Sequence, residues 1–271
     1  CVNTIHGTYY NVWEEIAGRI RGKLFRMAER IIAPALARLS DVQVHPESMF
    51  PRLLRTWGVD PSKILFIPNA IDTCKFSPRG VGLKPHPSSK PVILSARRLV
   101  RKNGVHILIE AMPIILRRLD VELVIVGDGP DRKMLVDLAS RLGVSGSVRF
   151  VGWVENERIP EYISMADVVV VPSIAEASSI SMLEAMAMGK PVVASRLPGI
   201  MDVATDGYDA ILVPPLNPER LADAIVRIVE NPRLAEKIGR RAAETARKYS
   251  IGRVVRRYYE LYRSLLKNRS V

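Results

Sequence analysis

Cysteine is almost absent from this chain. Cys1 and Cys74 are the two examples in 271 residues, and no CxxC or Cys/His spacing accompanies them. A disulfide framework and a zinc site are therefore not expected, and a reducing compartment fits. No apolar run reaches the roughly 18 residues of a membrane span, and no signal peptide is visible. Aromatic residues make up 6% and sit mostly in apolar patterns. That argues against a surface for stacking bases, so nucleic acid is not an expected partner. Acidic residues are outnumbered, 28 against 40 basic ones, for a net charge of +12. Such a balance calls for an anionic partner, either an anionic membrane surface or a phosphorylated small molecule once nucleic acid is set aside. There is no internal repeat and no low-complexity tract. The chain opens at Cys1 rather than at a methionine, which raises the expectation of a fragment.

Hydrophobic residues reach 48%, enough for substantial cores, and the length allows two domains. From about residue 91 strand and helix alternate. "PVILSA" (91–96), "VELVIVG" (121–127), "VRFVG" (148–152), "DVVVVPS" (167–173), "PVVAS" (191–195) and "AILVPP" (210–215) read as strands. Between them, 104–119, 131–143 and 157–166 have helical periodicity. Near-continuous β-branched runs suit strands covered on both faces, and the alternation predicts a parallel, doubly wound sheet. "SPRGVGLKPHPSSKP" (77–91) reads as a linker. Ahead of it, "TIHGTYY" reads as a strand end turning into a loop. Segment 12–32 reads as one amphipathic helix with Val12, Ile16, Ile20, Leu24 and Ile31 on a single face. The front segment looks like the back half of a further α/β domain, and 251–268 is a basic helix.

In such sheets ligands bind beyond the carboxyl ends of the strands. Two stretches lie there. "SARRLVRKNG" (95–104) runs from a strand straight into Arg97, Arg98 and Lys102, cations that suit a diphosphate; a merely solvated basic loop is the plainer alternative. "AEASSISMLEAMAMGKPVVAS" (175–195) carries Glu176 in a loop and Glu184 in a helix that begins near Ser179 to Ser181. Ser181-x-x-Glu184 has the spacing of a capping box. The other reading is a nucleotide-sugar site: helix amides and dipole for a phosphate, one carboxylate for ribose hydroxyls and the other for sugar hydroxyls. "GDGPD" (127–131) is a Gly-rich strand-to-helix turn that lacks the full GxGxxG spacing.

Six motifs occur in one order: "SARRLVRKNGVHILIEA", "VIVGDGPDRKML", "VRFVGWV", "YISMADVVVVPS", "EASSISMLEAMAMGKPVVAS" and "AILVPP". Together they resemble the carboxyl-terminal domain of retaining glycosyltransferases of family 4 (glycosyl transferases group 1), with the GT-B fold. The resemblance runs from about residue 60 to 265, and "IPNAIDTCKFSP" (67–78) is similar to the hand-over between the family's two domains. It implies two Rossmann-like doubly wound domains, the first incomplete. Residues 1–76 would close that acceptor-side domain, 77–90 link, 91–249 bind the nucleotide sugar and 250–271 cross back.

The implied activity is transfer of a sugar from a nucleoside diphosphate donor, of the UDP or GDP type, to an acceptor hydroxyl with retention. Glu176 and Glu184 match the family's E-x7-E motif, Glu176 facing the donor sugar and Glu184 the ribose. Amides near Ser178, Ser179 and Ile180 would meet the distal phosphate. Arg98 matches the arginine of the diphosphate clamp, and Lys102 stands one residue before the family's lysine position, which holds Asn103. His6 in "TIHG" matches a histidine beside the transferred sugar, and main chain at Val154 would meet the base. Ala70 and Ala177 stand where the family usually has glycine. Fixed cations and the helix dipole on the leaving diphosphate would make a metal unnecessary, and no nucleophile stands out, so front-face transfer is implied.

Three other readings stay open at this point: a nucleotide-sugar epimerase of the same fold, a non-catalytic nucleotide-sugar-binding module, and a basic nucleic-acid binder, which predicts steeply salt-dependent binding to DNA. Segment 12–38 holds six basic and three acidic residues beside its apolar stripe, and the tail adds Arg253, Arg256, Arg257, Arg263 and Lys267. That combination fits peripheral attachment to an anionic membrane surface and a lipid-linked or sugar acceptor; an ordinary domain helix packed on its own sheet is the alternative. The expected location is the cytoplasm, with its membrane face left open.

Overall fold

The computed structural model describes residues 1–5, 13–78 and 90–267, apart from the side chains of residues 15 and 16. Two parallel sheets organise them. The smaller one has three strands in the order β1-β2-β3: β1 (Val2–Thr4), β2 (Val42–His45) and β3 (Ile64–Phe66). Its helices are α1 (Trp13–Ala17), α2 (Arg19–Leu39) and α3 (Met49–Thr56).

The single helix expected over 12–32 is two. The chain breaks at Gly18, whose φ of 80° is left-handed, and α1 folds back along α2. Trp13 Nε1 donates to Glu29 at 2.7 Å, Arg26 pairs with Glu14 at 2.9 Å, and the Trp13 and Phe25 rings lie 5.1 Å apart. Helix α2 then continues to Leu39. The face it buries is the small one, Gly22, Ala33, Pro34 and Ala37. Ile20, Leu24, Met27 and Ile31, three and four residues apart, stay exposed. The expected apolar stripe therefore does not pack on its own sheet. Val12 lies outside the described residues.

The larger sheet has the order β6-β5-β4-β7-β8-β9, all parallel. Its strands are β4 (Val92–Ala96), β5 (Glu122–Val126), β6 (Val148–Gly152), β7 (Val168–Val171), β8 (Val192–Ser195) and β9 (Ile211–Val213). The helices are α4 (Val105–Leu116), α5 (Arg132–Arg141), α6 (Ile159–Met165), α7 (Ile180–Ala187), α8 (Pro198–Met201), α9 (Pro218–Val229) and α10 (Pro232–Ala246). Alternate strand residues feed opposite cores. Ile93, Leu123, Ile125, Val168, Val170 and Val193 pack with α4 and α9 on one face. Val92, Leu94, Val124, Val169, Val171 and Val192 pack with α6, α7 and α10 on the other. A sheet buried on both faces has no polar side to alternate with, which is why its strands read as continuous apolar runs.

Two chain segments join the sheets. Ile71 donates to the Tyr249 carbonyl at 2.9 Å and accepts from Ile251 at 3.1 Å, so the crossings lie side by side. From there α11 (Ile251–Lys267) runs over the small sheet, where Val254 and Leu261 pack with Val42, Val44 and Ile67. Arg257 donates to the Phe66 carbonyl at 2.6 Å. Ser48, ahead of α3, donates through its amide and hydroxyl to Asp202 at 2.6 and 2.5 Å.

Leu261 is buried in a thin cluster of five apolar residues, so truncating it leaves a cavity that little can fill. Leu261→Ala should lower unfolding stability by about 2–4 kcal/mol, read from urea titrations, with proteolysis of the tail accelerated in parallel. Equal midpoints for variant and parent would mean that α11 does not seal this sheet.

Candidate functional site

The order of the large sheet reverses between β4 and β7, and there the loops leaving the two strands part toward opposite faces. The crevice left between them at the carboxyl ends is the usual ligand position of such sheets. Loop 97–104 follows β4, and loop 172–179 follows β7. The two are bonded to each other: Ile174 and Ala175 amides donate to the Lys102 carbonyl at 2.8 and 3.3 Å. Gly199, at the start of α8, supports the second loop from below. A methyl group placed on it would fall 2.0 Å from the Ala177 carbonyl oxygen, so only glycine lets the loop sit this low.

Glu176 lies in that loop with its carboxylate gripped. Arg97 Nη2 donates to Oε2 at 2.6 Å, Arg97 Nη1 donates to Ser173 Oγ at 2.5 Å, and Ser173 Oγ lies 3.3 Å from the same Oε2. The side chains are 6% exposed for Arg97 and 12% for Glu176. Arg97, grouped by sequence with the cations for a diphosphate, is thus committed to a carboxylate. Ser173 was missed altogether.

Helix α7 starts one turn later. Ser179 is its N-cap, accepting from the Met182 amide at 3.3 Å through Oγ. This overturns the capping box at Ser181: Glu184 sits two positions too deep in the helix to reach back. The amides of Ser178, Ser179 and Ile180 have no hydrogen-bond partner among the described residues. The buried Ser178 hydroxyl is also without one. Asn69 Nδ2 reaches the Ser178 carbonyl at 3.4 Å from the chain segment joining the two sheets. Unpaired amides at a helix N-terminus make a place for an anion.

Glu184 follows within the helix. Its carboxylate has no hydrogen-bond partner among the described residues, and burial pushes its pKa up to about 7 against a smaller opposing pull from Lys75. Sequence reading missed Lys75. Its ammonium bonds to Asn156 Oδ1 at 3.1 Å and pairs with Glu157 at 3.6 Å, beside half-buried Val154 at the end of β6.

Arg98 is exposed, with no side-chain partner among the described residues. Lys102 lies half-buried in a one-turn 3-10 helix. Asn103, in the position where the resemblance puts a lysine, turns inward and donates to the Arg98 carbonyl at 2.7 Å, closing the loop. The glycines of "GDGPD" serve packing: methyl groups on Gly127 and Gly129 would fall 2.0 and 2.2 Å from the carbonyl oxygens of Arg97 and Leu99. His6 lies outside the described residues.

The site can now be set beside known proteins. The sequence pattern of the family "Glycosyl transferases group 1" matches residues 83–245. This chain belongs to that family. The α-D-kanosaminyltransferase of Streptomyces kanamyceticus is 35% identical over 178 residues, 65% of this chain and 46% of the relative. The D-inositol 3-phosphate glycosyltransferase of Corynebacterium urealyticum is 31% identical over 247 residues, 88% and 57%. The chain thus spans about half the length of the curated relatives it matches. Among solved structures, sucrose-phosphate synthase from Thermosynechococcus elongatus superposes with a TM-score of 0.85 at 26% identity, covering 98% of this chain and 68% of that one. Anabaena HepE, solved with UDP and glucose, gives 0.79 at 22% identity over 97% and 70%, a likeness of fold alone. The fold is of the GT-B type. This family membership does not favour the epimerase or the non-catalytic module.

A domain that keeps a carboxylate partly desolvated and without a donor sacrifices stability for it. Below pH 4.5 Glu184 is protonated in folded and unfolded chains alike. As pH rises toward 7 the unfolded chain releases this proton first, so stability falls across that window and stays reduced above it. Glu184→Gln should therefore be more stable than the parent at pH 8, by on the order of 3 kcal/mol, and equal to it near pH 4. Denaturant titrations across that range test this, and a difference independent of pH would show that Glu184 has a partner.

Proposed function

We propose that this protein is a retaining glycosyltransferase that moves a sugar from a UDP- or GDP-type donor to an acceptor hydroxyl. In this reading residues 91–249 bind the donor, residues 1–76 belong to the acceptor side, 77–90 link them and α11 ties them together. The observation that carries it is Glu184, a half-buried carboxylate without donors among the described residues, on the helix whose first amides are also unpaired. Ribose hydroxyls and a distal phosphate supply the missing partners at once. The amides of Ser178, Ser179 and Ile180 and the Ser178 hydroxyl take the phosphate, Glu184 takes the ribose, and main chain at Val154 meets the base. Arg98 and Lys102 offset the charge that develops on the departing diphosphate, so no metal is needed.

Retention follows from what Glu176 can do. Its Oε2 is held by Arg97 and Ser173, which lowers its value as a nucleophile and leaves it to orient sugar hydroxyls. The acceptor hydroxyl then enters on the face the diphosphate leaves, passing its proton to a diphosphate oxygen. His6 stands beside the transferred sugar on the resemblance alone. Arg98→Ala should weaken UDP or GDP binding by about 1.5–3 kcal/mol, the usual worth of hydrogen bonds to charged groups. Calorimetry reads this directly, and unchanged affinity for both nucleotides would remove Arg98 from the site.

The acceptor side carries a second observation. Ile20, Leu24, Met27 and Ile31 are exposed along α2, with exposed Arg19, Lys23 and Arg30 on the same helix. No helix of the described residues is long and apolar enough to cross a membrane. We propose that this face rests on an anionic lipid surface, apolar side chains in the interface and basic ones on headgroups, each worth about 1 kcal/mol. A lipid or lipid-linked sugar is the matching acceptor. The protein should co-sediment with anionic vesicles at low salt, release at high salt, and ignore neutral vesicles. Failure to bind anionic vesicles at low salt would remove the membrane-surface reading and favour a soluble acceptor.

A further inference from the structure

Arg97 has two side-chain partners inside the protein, Ser173 and Glu176, and neither is a ligand. Three hydrogen-bonding contacts tie Arg97, Ser173 and Glu176 into a closed ring at the ends of neighbouring strands. The guanidinium is a planar fork, so Nη1 and Nη2 reach two oxygens with a single orientation. Both contacts engage one side of Glu176, through Oε2 or the hydroxyl bonded to it. Oε1 has no partner among the described residues.

Burial decides what the ring does. Arg97 is nearly inaccessible and Glu176 little more open, so solvent does not screen the pair and neither side chain is free to rotate away. A carboxylate loose in a loop would sample several rotamers and offer either oxygen. Here one oxygen is taken, the loop is pinned to the end of β4, and Oε1 is left as the single unengaged acceptor. The pair also cancels its own charge. The crevice therefore offers a hydrogen-bond acceptor at this point rather than a cation, which suits a sugar hydroxyl and not a sugar carboxylate.

We infer that Arg97, with Ser173, is the positioning residue for Glu176, fixing its orientation so that Oε1 alone receives a hydroxyl of a neutral donor sugar. This rests on the donor-site reading above. Arg97 touches no substrate in it and makes no contribution to holding the diphosphate, which separates it from Arg98, its neighbour in sequence.

The test uses the full-length protein with UDP-glucose and GDP-mannose as probes, following release of the nucleoside diphosphate. Arg97→Lys keeps the charge and loses the fork. It should lower kcat ten- to a hundredfold while UDP or GDP affinity stays within twofold, whereas Arg98→Ala should lose affinity. Arg97→Met should lose more turnover than Arg97→Lys, so that the lysine counts as partial rescue. Turnover within twofold of the parent in both Arg97 variants, or a loss of nucleotide affinity matching that of Arg98→Ala, overturns the inference.

Absence of UDP and GDP binding in the parent would instead overturn the donor-site reading. The clamp would then be judged on stability alone. Arg97→Met and Glu176→Gln would be combined in a double-mutant cycle by denaturant titration, in which the neutral pair removes the risk of a stranded charge. Strong non-additivity supports the clamp, and additive effects reject it.

Discussion

Every feature of the site hangs on the pairing of β4 with β7. The two strands register Ile93 against Val168 and Leu94 against Val169, and their ends lie about 4.8 Å apart, as neighbouring strands do. One strand then delivers Arg97 and Arg98, the other Ser173, Glu176 and helix α7. Side chains alternate faces along a strand, so a slip of one residue would turn Arg97 away from Ser173 and Glu176. The apolar cores on both faces forbid that slip, because it would exchange Ile93 and Leu94 between them.

The fold treats its two glutamates in opposite ways. Glu176 is held by a guanidinium and a hydroxyl, and its charge is compensated inside the protein. Glu184, eight residues on, is half-buried without a donor among the described residues, and desolvation raises its pKa to about 7. A buried carboxylate with no partner is unfavourable, and a perturbed group in a crevice is where function is expected. The pair divides the work. One carboxylate has its partners within the fold, while the other has none among the described residues.

The segment joining the two sheets takes part in the site. Asn69 meets the Ser178 carbonyl, and Lys75 meets Asn156 and Glu157 while pulling on Glu184. The same segment bonds to the returning chain at Ile71. A change in the angle between the two sheets would therefore be felt at the start of α7 and around Asn156 and Glu157 together. Ser48 and Asp202 add a second bridge on α8, the helix that supports the Glu176 loop through Gly199.

The elements of the large sheet were legible because their signals are local. Apolar runs, helical periodicity and glycine stops placed every strand from β4 to β9 within two residues or so. The E-x7-E motif likewise put Glu176 in the loop ahead of one helix and Glu184 within it, as α7 has them. Local pattern failed where a partner lay far along the chain. The break at Gly18 depends on α1 finding α2, and the exposed stripe of α2 depends on which face met the sheet. The role of Arg97 could not be read from "SARR", since two adjacent arginines carry the same charge and the same local propensity. Its partner stands 79 positions away, and they meet only because β4 and β7 are neighbours in the sheet. Sequence determined which residues could form strands, helices and an anionic-ligand site. Tertiary structure decided which arginine is spent on a carboxylate and which stays exposed without a side-chain partner among the described residues, because strand order, unlike periodicity, sets which distant side chains come within hydrogen-bonding reach.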